Sequence, residues 1–428
     1  MSDQRNSVLI IAYRFPPENS SGARRPSRFA KYLNRLHYRP VIVTRAGFQE
    51  TPGSVHIERV PNAKRRSLLL RMALAAAWFL QRILPNNDQL PWVPHAASAG
   101  CDIAARHGIG AVVSTHPPVA THLAALWVKK RRSVPWIADF RDPFFGNPFR
   151  KQRFEWAYAR LVERWIVSNA DALVANTDSA GETLRERYPR HAHKVHVIWN
   201  GFDPDEVLPS AVSESHDCRI IRHVGTLYGE RHPGLLLDSL HRLIGQQKLP
   251  DDGFRIELVG PMNWESPWTR EPSFSYLKDR NCLTYTNGLV PDTDARRAMA
   301  EADCLLLLDL NGEKKSVQVP AKLFDYILTG RPILAFTPAG SPAERILSRS
   351  GIDHCCITPG EPPEEIDRKV LEFLQARPTI SAPSGWFWRE FAAPGQAKIL
   401  AAMLDGLTGE WPRGSLVISD LATPQTRQ

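Results

Sequence analysis

Short apolar runs, each released into a polar or glycine-bearing loop and then a helix-period pattern, recur along this chain and restrict its fold more than any other feature. They fall at 8–12, 40–44, 111–114, 135–139, 172–175 and 195–198. After a polar stretch at 209–217 they start again at 220–224, 254–259, 283–285, 304–308 and 332–336. Strands alternating with helices at this spacing mean mostly parallel sheets. The 428 residues exceed the ~250–300 that one core serves, so two rounds of alternation predict two domains. The expected fold class is α/β, with a mostly parallel sheet in each of two domains. The expected bounds are 1–205, 206–385, a C-terminal helix over 386–408 that bridges or docks back on the first domain, and a frayed tail over 409–428.

Ligands of such sheets sit beyond the carboxyl ends of the strands. In the first domain the loop after the first strand carries Gly22, where a ligand can approach the backbone, and Arg24 and Arg25 at a helix start that suits an anion. It is not G-x-G-x-x-G, so a nicotinamide or flavin cofactor has no support. His116 ends another strand; a lone histidine is more often structural than functional. Asp139, Arg141 and Asp142 close the next strand. Two carboxylates and an arginine at a strand end are costly unless paired or in contact with ligand, which favours a site, with a structural Asp–Arg pair as the alternative.

In the second domain Gly225 and Gly229 follow a strand and Arg231 stands within reach of a phosphate. The stretch 316–336, SVQVPAKLFDYILTGRPILAF, reads as a loop, a short helix entered after Pro320, a stop at Gly330 and a buried strand. Lys322 then lies in the first helical turn with Asp325 three residues on. A helix start beside a cation is a natural diphosphate seat; an ordinary solvated helix face fits the same residues equally well.

Hydrophobic residues at 43% and charged ones at 23% exclude wholesale disorder. Six cysteines without a C-x-x-C pair suggest neither a zinc site nor a disulfide framework, and so a reducing, cytoplasmic setting. The N-terminal apolar run is a first strand rather than a secretion signal. The net charge of +9 is partly explained by segment 64–84, apolar but bearing Arg71 and Arg82 after Lys64, Arg65 and Arg66. It is too short and too charged for a membrane span; it suits either an interface with anionic lipid or a core helix with a basic cap. No aromatic-interleaved basic stripe or motif supports nucleic acid as a partner.

Taken in order, PPENSSGARRP, ADFRDP, NGFD, VGTLYGER and VPAKLFDYILTGRPIL resemble the family 4 glycosyltransferases of the GT-B fold, nearest to bacterial members that build surface polysaccharides. The resemblance covers nearly the whole chain. It implies two Rossmann-like domains with parallel sheets facing across a cleft, and a retaining, metal-independent transfer of a sugar from a nucleotide donor, held mainly by the second domain, to a glycan or polyprenyl-linked acceptor held by the first, with no cofactor and no metal site. It sets Arg231 and Lys322 on the donor phosphates; with Asp142 and His116, read from the strand ends, they are the expected catalytic residues. Donor contacts fall on Gly225, Thr226, Gly229, Arg231, Ser316, Lys322, Leu323 and Asp325. Gly22, Arg24, Arg25, Asp139 and Arg141 go to the acceptor side. Asp325 stands where the family holds the ribose, Val317 where it usually has a second carboxylate, and Thr226 where an arginine often follows the first glycine. A sugar-nucleotide epimerase of the same fold and a catalytically decayed membrane-surface scaffold are the alternatives. Two D-x-D strings, at 203–205 and 292–294, read as turns and caps rather than metal–diphosphate motifs.

Overall fold

The computed structural model describes residues 7–18, 20–47, 55–60, 72, 75–76, 79, 88–146, 153–206, 218–229, 231–309, 317–376 and 379–409. Most of segment 64–84, Ser316 and the tail beyond 409 lie outside them. The chain forms two compact units, 1–203 with 393–428, and 204–392.

Among the described residues the first unit has a parallel sheet of β1 (Ser7–Ala12), β2 (Arg39–Arg45), β3 (His56–Val60), β4 (Ala111–His116), β5 (Trp136–Phe140), β6 (Ala172–Ala175) and β7 (Val195–Val197), in the order β3-β2-β1-β4-β5-β6-β7. Alternate residues of β1 serve opposite cores. Leu9 and Ile11 pack under the helices Val93–His107, Ala120–Arg132 and Arg153–Asn169; Val8, Ile10 and Ala12 pack under Ser21–Arg35 and Ala393–Thr408. That two-sided burial is why the strand reads as an unbroken apolar run. β3, HIERV, is only partly covered and carries two charges, so it gives no such run. Thr177, rather than Asp178, caps helix Asp178–Arg187 by accepting from the Ala180 amide at 3.0 Å.

The second unit has a parallel sheet of β8 (Arg219–Val224), β9 (Phe254–Val259), β10 (Leu283–Thr286), β11 (Cys304–Leu308), β12 (Ile333–Phe336) and β13 (His354–Ile357), in the order β10-β9-β8-β11-β12-β13. Strand order reverses between β8 and β11 here, and between β1 and β4 in the first unit. Such switch points open a crevice at the carboxyl ends of the strands. The loops after β8 and β11 are therefore the ones that can hold a ligand in this unit.

Where one helix is expected over 386–408 there are two, Gly385–Phe391 and Ala393–Thr408. Ala392 is extended, and Pro394, with no N–H to donate to the carbonyl four residues back, cannot continue the first helix. The first helix stays with the second unit, where Phe387 and Phe391 pack their rings 6.4 and 5.2 Å from Phe324. The second belongs to the first unit, its Ala393 amide bonded to the Phe202 carbonyl and its Ala401 carbonyl accepting from the Tyr38 hydroxyl. No helix among the described residues is long and apolar enough to cross a membrane.

Candidate functional site

β8 ends at Gly225, with φ +134°, a conformation side chains rarely adopt. Its backbone is crowded from two sides. A Cβ on Gly260, at the end of β9, would lie 2.7 Å from the Gly225 carbonyl oxygen, and a Cβ on Gly225 would lie 2.5 Å from Lys322 Nζ. The lysine amine thus rests against a bare glycine at a strand end. Lys322 opens helix Lys322–Thr329, which stops at Gly330 in the left-handed region, φ +73°. The helix is tied to β8 by Tyr326, whose buried hydroxyl accepts from the Val224 amide at 2.9 Å.

His223 holds the amine from below. Its Nδ1 lies 2.9 Å from the Leu306 carbonyl of β11 and its Nε2 lies 2.9 Å from Lys322 Nζ. A carbonyl can only accept, so Nδ1 carries the proton and Nε2 presents a lone pair to the amine. Burial, and then the Lys322 charge, push the His223 pKa well below 6.5, so the ring is neutral. Burial, and then the Arg231 charge, bring the Lys322 pKa down to about 7. Without the compensation of an anion, this ammonium is on the edge of losing its proton.

Arg231 comes from the loop after β8. Its amide is bonded to the Tyr228 carbonyl and its Nη1 to the Tyr228 hydroxyl at 2.7 Å. Its Nη2 lies 3.7 Å from a carboxylate oxygen of Asp309, a fully buried residue just after β11 that also accepts from Thr337 Oγ1 at 3.0 Å. Arg231 Nε is buried without a hydrogen-bond partner. Two cations, an unused N–H and a helix start converge at this switch point, an arrangement that favours an anionic ligand. Of the other residues expected here, Thr226 and Gly229 are exposed and Asp325 is half-buried. Leu323 is fully buried, with its amide bonded to the Pro320 carbonyl.

In the first unit, Arg25 and Asp139 form a buried bidentate pair at 2.9 and 2.8 Å. The remaining Arg25 donors go to the carbonyls of Ile198 and Trp199 and to Asn200. Asp139 also accepts from Thr115 Oγ1 at 2.9 Å. Arg141, 8% exposed, bonds the carbonyls of His116 and Gly22 at 2.8 and 3.0 Å. It joins the loops after β1 and β4, and burial lowers its pKa. These three residues therefore brace the strand ends. His116 is 3% exposed among aromatic rings, stacked on His122 and edge-on to Phe144. Arg24 and Asp142 are half-buried. Both D-x-D strings begin on residues held by the protein itself: Asp203 by Lys31 and Tyr32, each at 2.6 Å, and Asp292 by Arg296 at 2.7 Å.

His223, Tyr326 and Asp309 are the residues the sequence pattern did not assign. The one available signal was a histidine next to the last residue of β8 (Arg219–Val224).

Residues 23–206 match the family model described as Glycosyltransferase Family 4. A D-inositol 3-phosphate glycosyltransferase of Corynebacterium urealyticum is 29% identical over 134 residues, a match spanning 29% of this chain and 29% of that relative. In fold the chain is similar to Anabaena HepE, solved with UDP and glucose, at TM-score 0.63 and 15% identity over 94% of this chain and 99% of that one. It is also similar to sucrose-phosphate synthase of Thermosynechococcus elongatus, at TM-score 0.61 and 12% identity over 95% and 100%.

Proposed function

We propose that the chain, whose residues 23–206 match the family 4 glycosyltransferase model and whose two parallel-sheet units have the GT-B fold, moves a sugar from a UDP- or GDP-linked donor to a glycan or polyprenyl-linked acceptor in cell-surface polysaccharide synthesis. The observation that carries this reading is the cation pair at the β8–β11 switch point, with Lys322 Nζ laid against Gly225 and Arg231 beside it. As the bond between sugar and diphosphate breaks, negative charge grows on the leaving oxygen. Preorganised cations and backbone N–H groups lower that barrier. Lys322 and Arg231 take this role without a metal ion. Asp325 takes the ribose, and retention of anomeric configuration follows from the family resemblance. A UDP complex of the similarly folded Anabaena protein is in keeping with the donor class.

On this proposal the reaction runs in the cytoplasm at the inner membrane face, with segment 64–84 meeting anionic lipid. His116 and Asp142, at the carboxyl ends of β4 and β5, are the first unit's assigned groups at the reacting centre. The family match over residues 23–206 favours transfer over the epimerase and scaffold readings.

Incubation with a panel of nucleotide sugars, with and without acceptor glycans, tests this. Product that forms only with acceptor supports transfer; an isomerised nucleotide sugar without acceptor overturns it. Gly225 offers a sharper check. Gly225→Ala puts a methyl group where the Lys322 amine lies and forces φ +134° on a residue with a side chain, a strain of about 1–3 kcal/mol. Donor affinity should fall about tenfold or more in calorimetry; an unchanged affinity would remove the loop from the donor seat.

A further inference from the structure

Five of the thirteen exposed large apolar side chains among the described residues lie on two helices of the first unit: Trp127 on Ala120–Arg132, and Phe154, Trp156, Leu161 and Trp165 on Arg153–Asn169. The two helices contact each other in the layer over one face of the sheet. Phe154, Leu161 and Trp165 are spaced by seven and four residues, so they share one side of their helix. They are 47%, 70% and 49% exposed. A core stripe would be covered, and a solvated face would not repeat such residues.

The exposed charges that the described residues of these two helices carry have one sign. Arg160 and Arg164 are exposed beside it, and Lys130, Arg131 and Arg132 are exposed at the end of the neighbouring helix. Helix Ala120–Arg132 contains no carboxylate. On Arg153–Asn169, Glu155 is half-buried and Glu163 is buried against Arg187. Aromatic rings with arginine and lysine flanks suit the headgroup region of an anionic bilayer, where rings enter the interface and cations meet lipid phosphate. A second copy fits poorly, because a symmetric contact would set these cations against their own duplicates. The Phe154 end of the helix follows the loop leaving β5, at the same sheet edge as Asp142 and His116.

We propose that this face of helices 120–132 and 153–169 docks the protein on an anionic lipid surface. Its residues are not those of segment 64–84, and the inference does not depend on the donor assignment.

Flotation of the full-length chain with vesicles of phosphatidylcholine, alone or mixed with phosphatidylglycerol, tests it. The wild-type protein should partition several-fold more onto the anionic vesicles, and less as salt rises. Leu161→Ser with Trp165→Ser, and separately Arg160→Gln with Arg164→Gln, should each cut that partition about tenfold with an unchanged melting temperature. Partition lost only on neutralising Arg65 and Arg66, and kept in both helix variants, would overturn the proposal. So would light scattering that shows a dimer dissolved by the serine pair without any change in lipid partition. Should a variant misfold, hydrogen exchange on the wild type decides: anionic vesicles should protect 153–169, and absence of protection there sinks the assignment.

Discussion

Replacing Lys322 with Met is expected to slow sugar transfer by about a hundred- to a thousandfold while the protein stays folded. Methionine keeps the unbranched stem but removes the one cation set against Gly225. Of the cation pair described in this unit, Arg231 then remains to face the leaving diphosphate. The effect on kcat should exceed that on donor affinity, because the interaction strengthens as charge develops in the transition state. Stability should change little. The substitution strips a hydrogen bond from His223 Nε2, but it also relieves the burial that lowers the lysine pKa to about 7. Turnover by Lys322→Met at the wild-type rate would remove Lys322 from the chemistry.

Asp139→Ala is expected to act on the other unit and by another route, costing about 3–5 kcal/mol of stability. Arg25 is 5% exposed and directs two of its N–H bonds at this carboxylate. Removing the acid leaves a guanidinium buried without its counter-charge. It also frees Thr115 Oγ1 and weakens the clamp on the carbonyls of Ile198 and Trp199. Urea unfolding should show a lowered midpoint for this unit. The double variant Arg25→Met, Asp139→Leu should recover a large part of the loss, since an apolar pair of similar volume often replaces a buried ion pair without penalty. A loss below about 1 kcal/mol would mean that the pair is not the brace its geometry indicates.

These two residues also mark what could be read before the fold was known. Lys322 was legible because its signals are local: a proline before it, a glycine stop after its helix, and a buried strand on each side of the segment. Arg25 and Asp139 were both visible as charges at strand ends, yet they are 114 positions apart. A site cluster and a structural pair read alike until β1, β4 and β5 are laid side by side. His223 has the same difficulty. Its meaning depends on Leu306 and Lys322, brought to it by the parallel register of β8 and β11. The run over 386–408 looked continuous because its aromatic and apolar content never lapses, and the break rests on Pro394, which has no N–H to carry the first helix across it.

The central claim is that the diphosphate of the donor is held by Lys322, and the pH dependence of nucleotide affinity tests it most directly. An amine with pKa about 7 is charged below that pH and neutral above it. Bound phosphate stabilises the charged form, so above pH 7 the nucleotide binds only with uptake of a proton. Calorimetric titration of UDP and GDP between about pH 7.5 and 9, in buffers of different ionisation enthalpy, should show affinity for whichever binds falling by up to about tenfold per pH unit, with close to one proton taken up. Lys322→Met should bind more weakly, without that slope. A flat wild-type profile, or a Lys322→Met variant that binds as tightly as the wild type, would contradict the account.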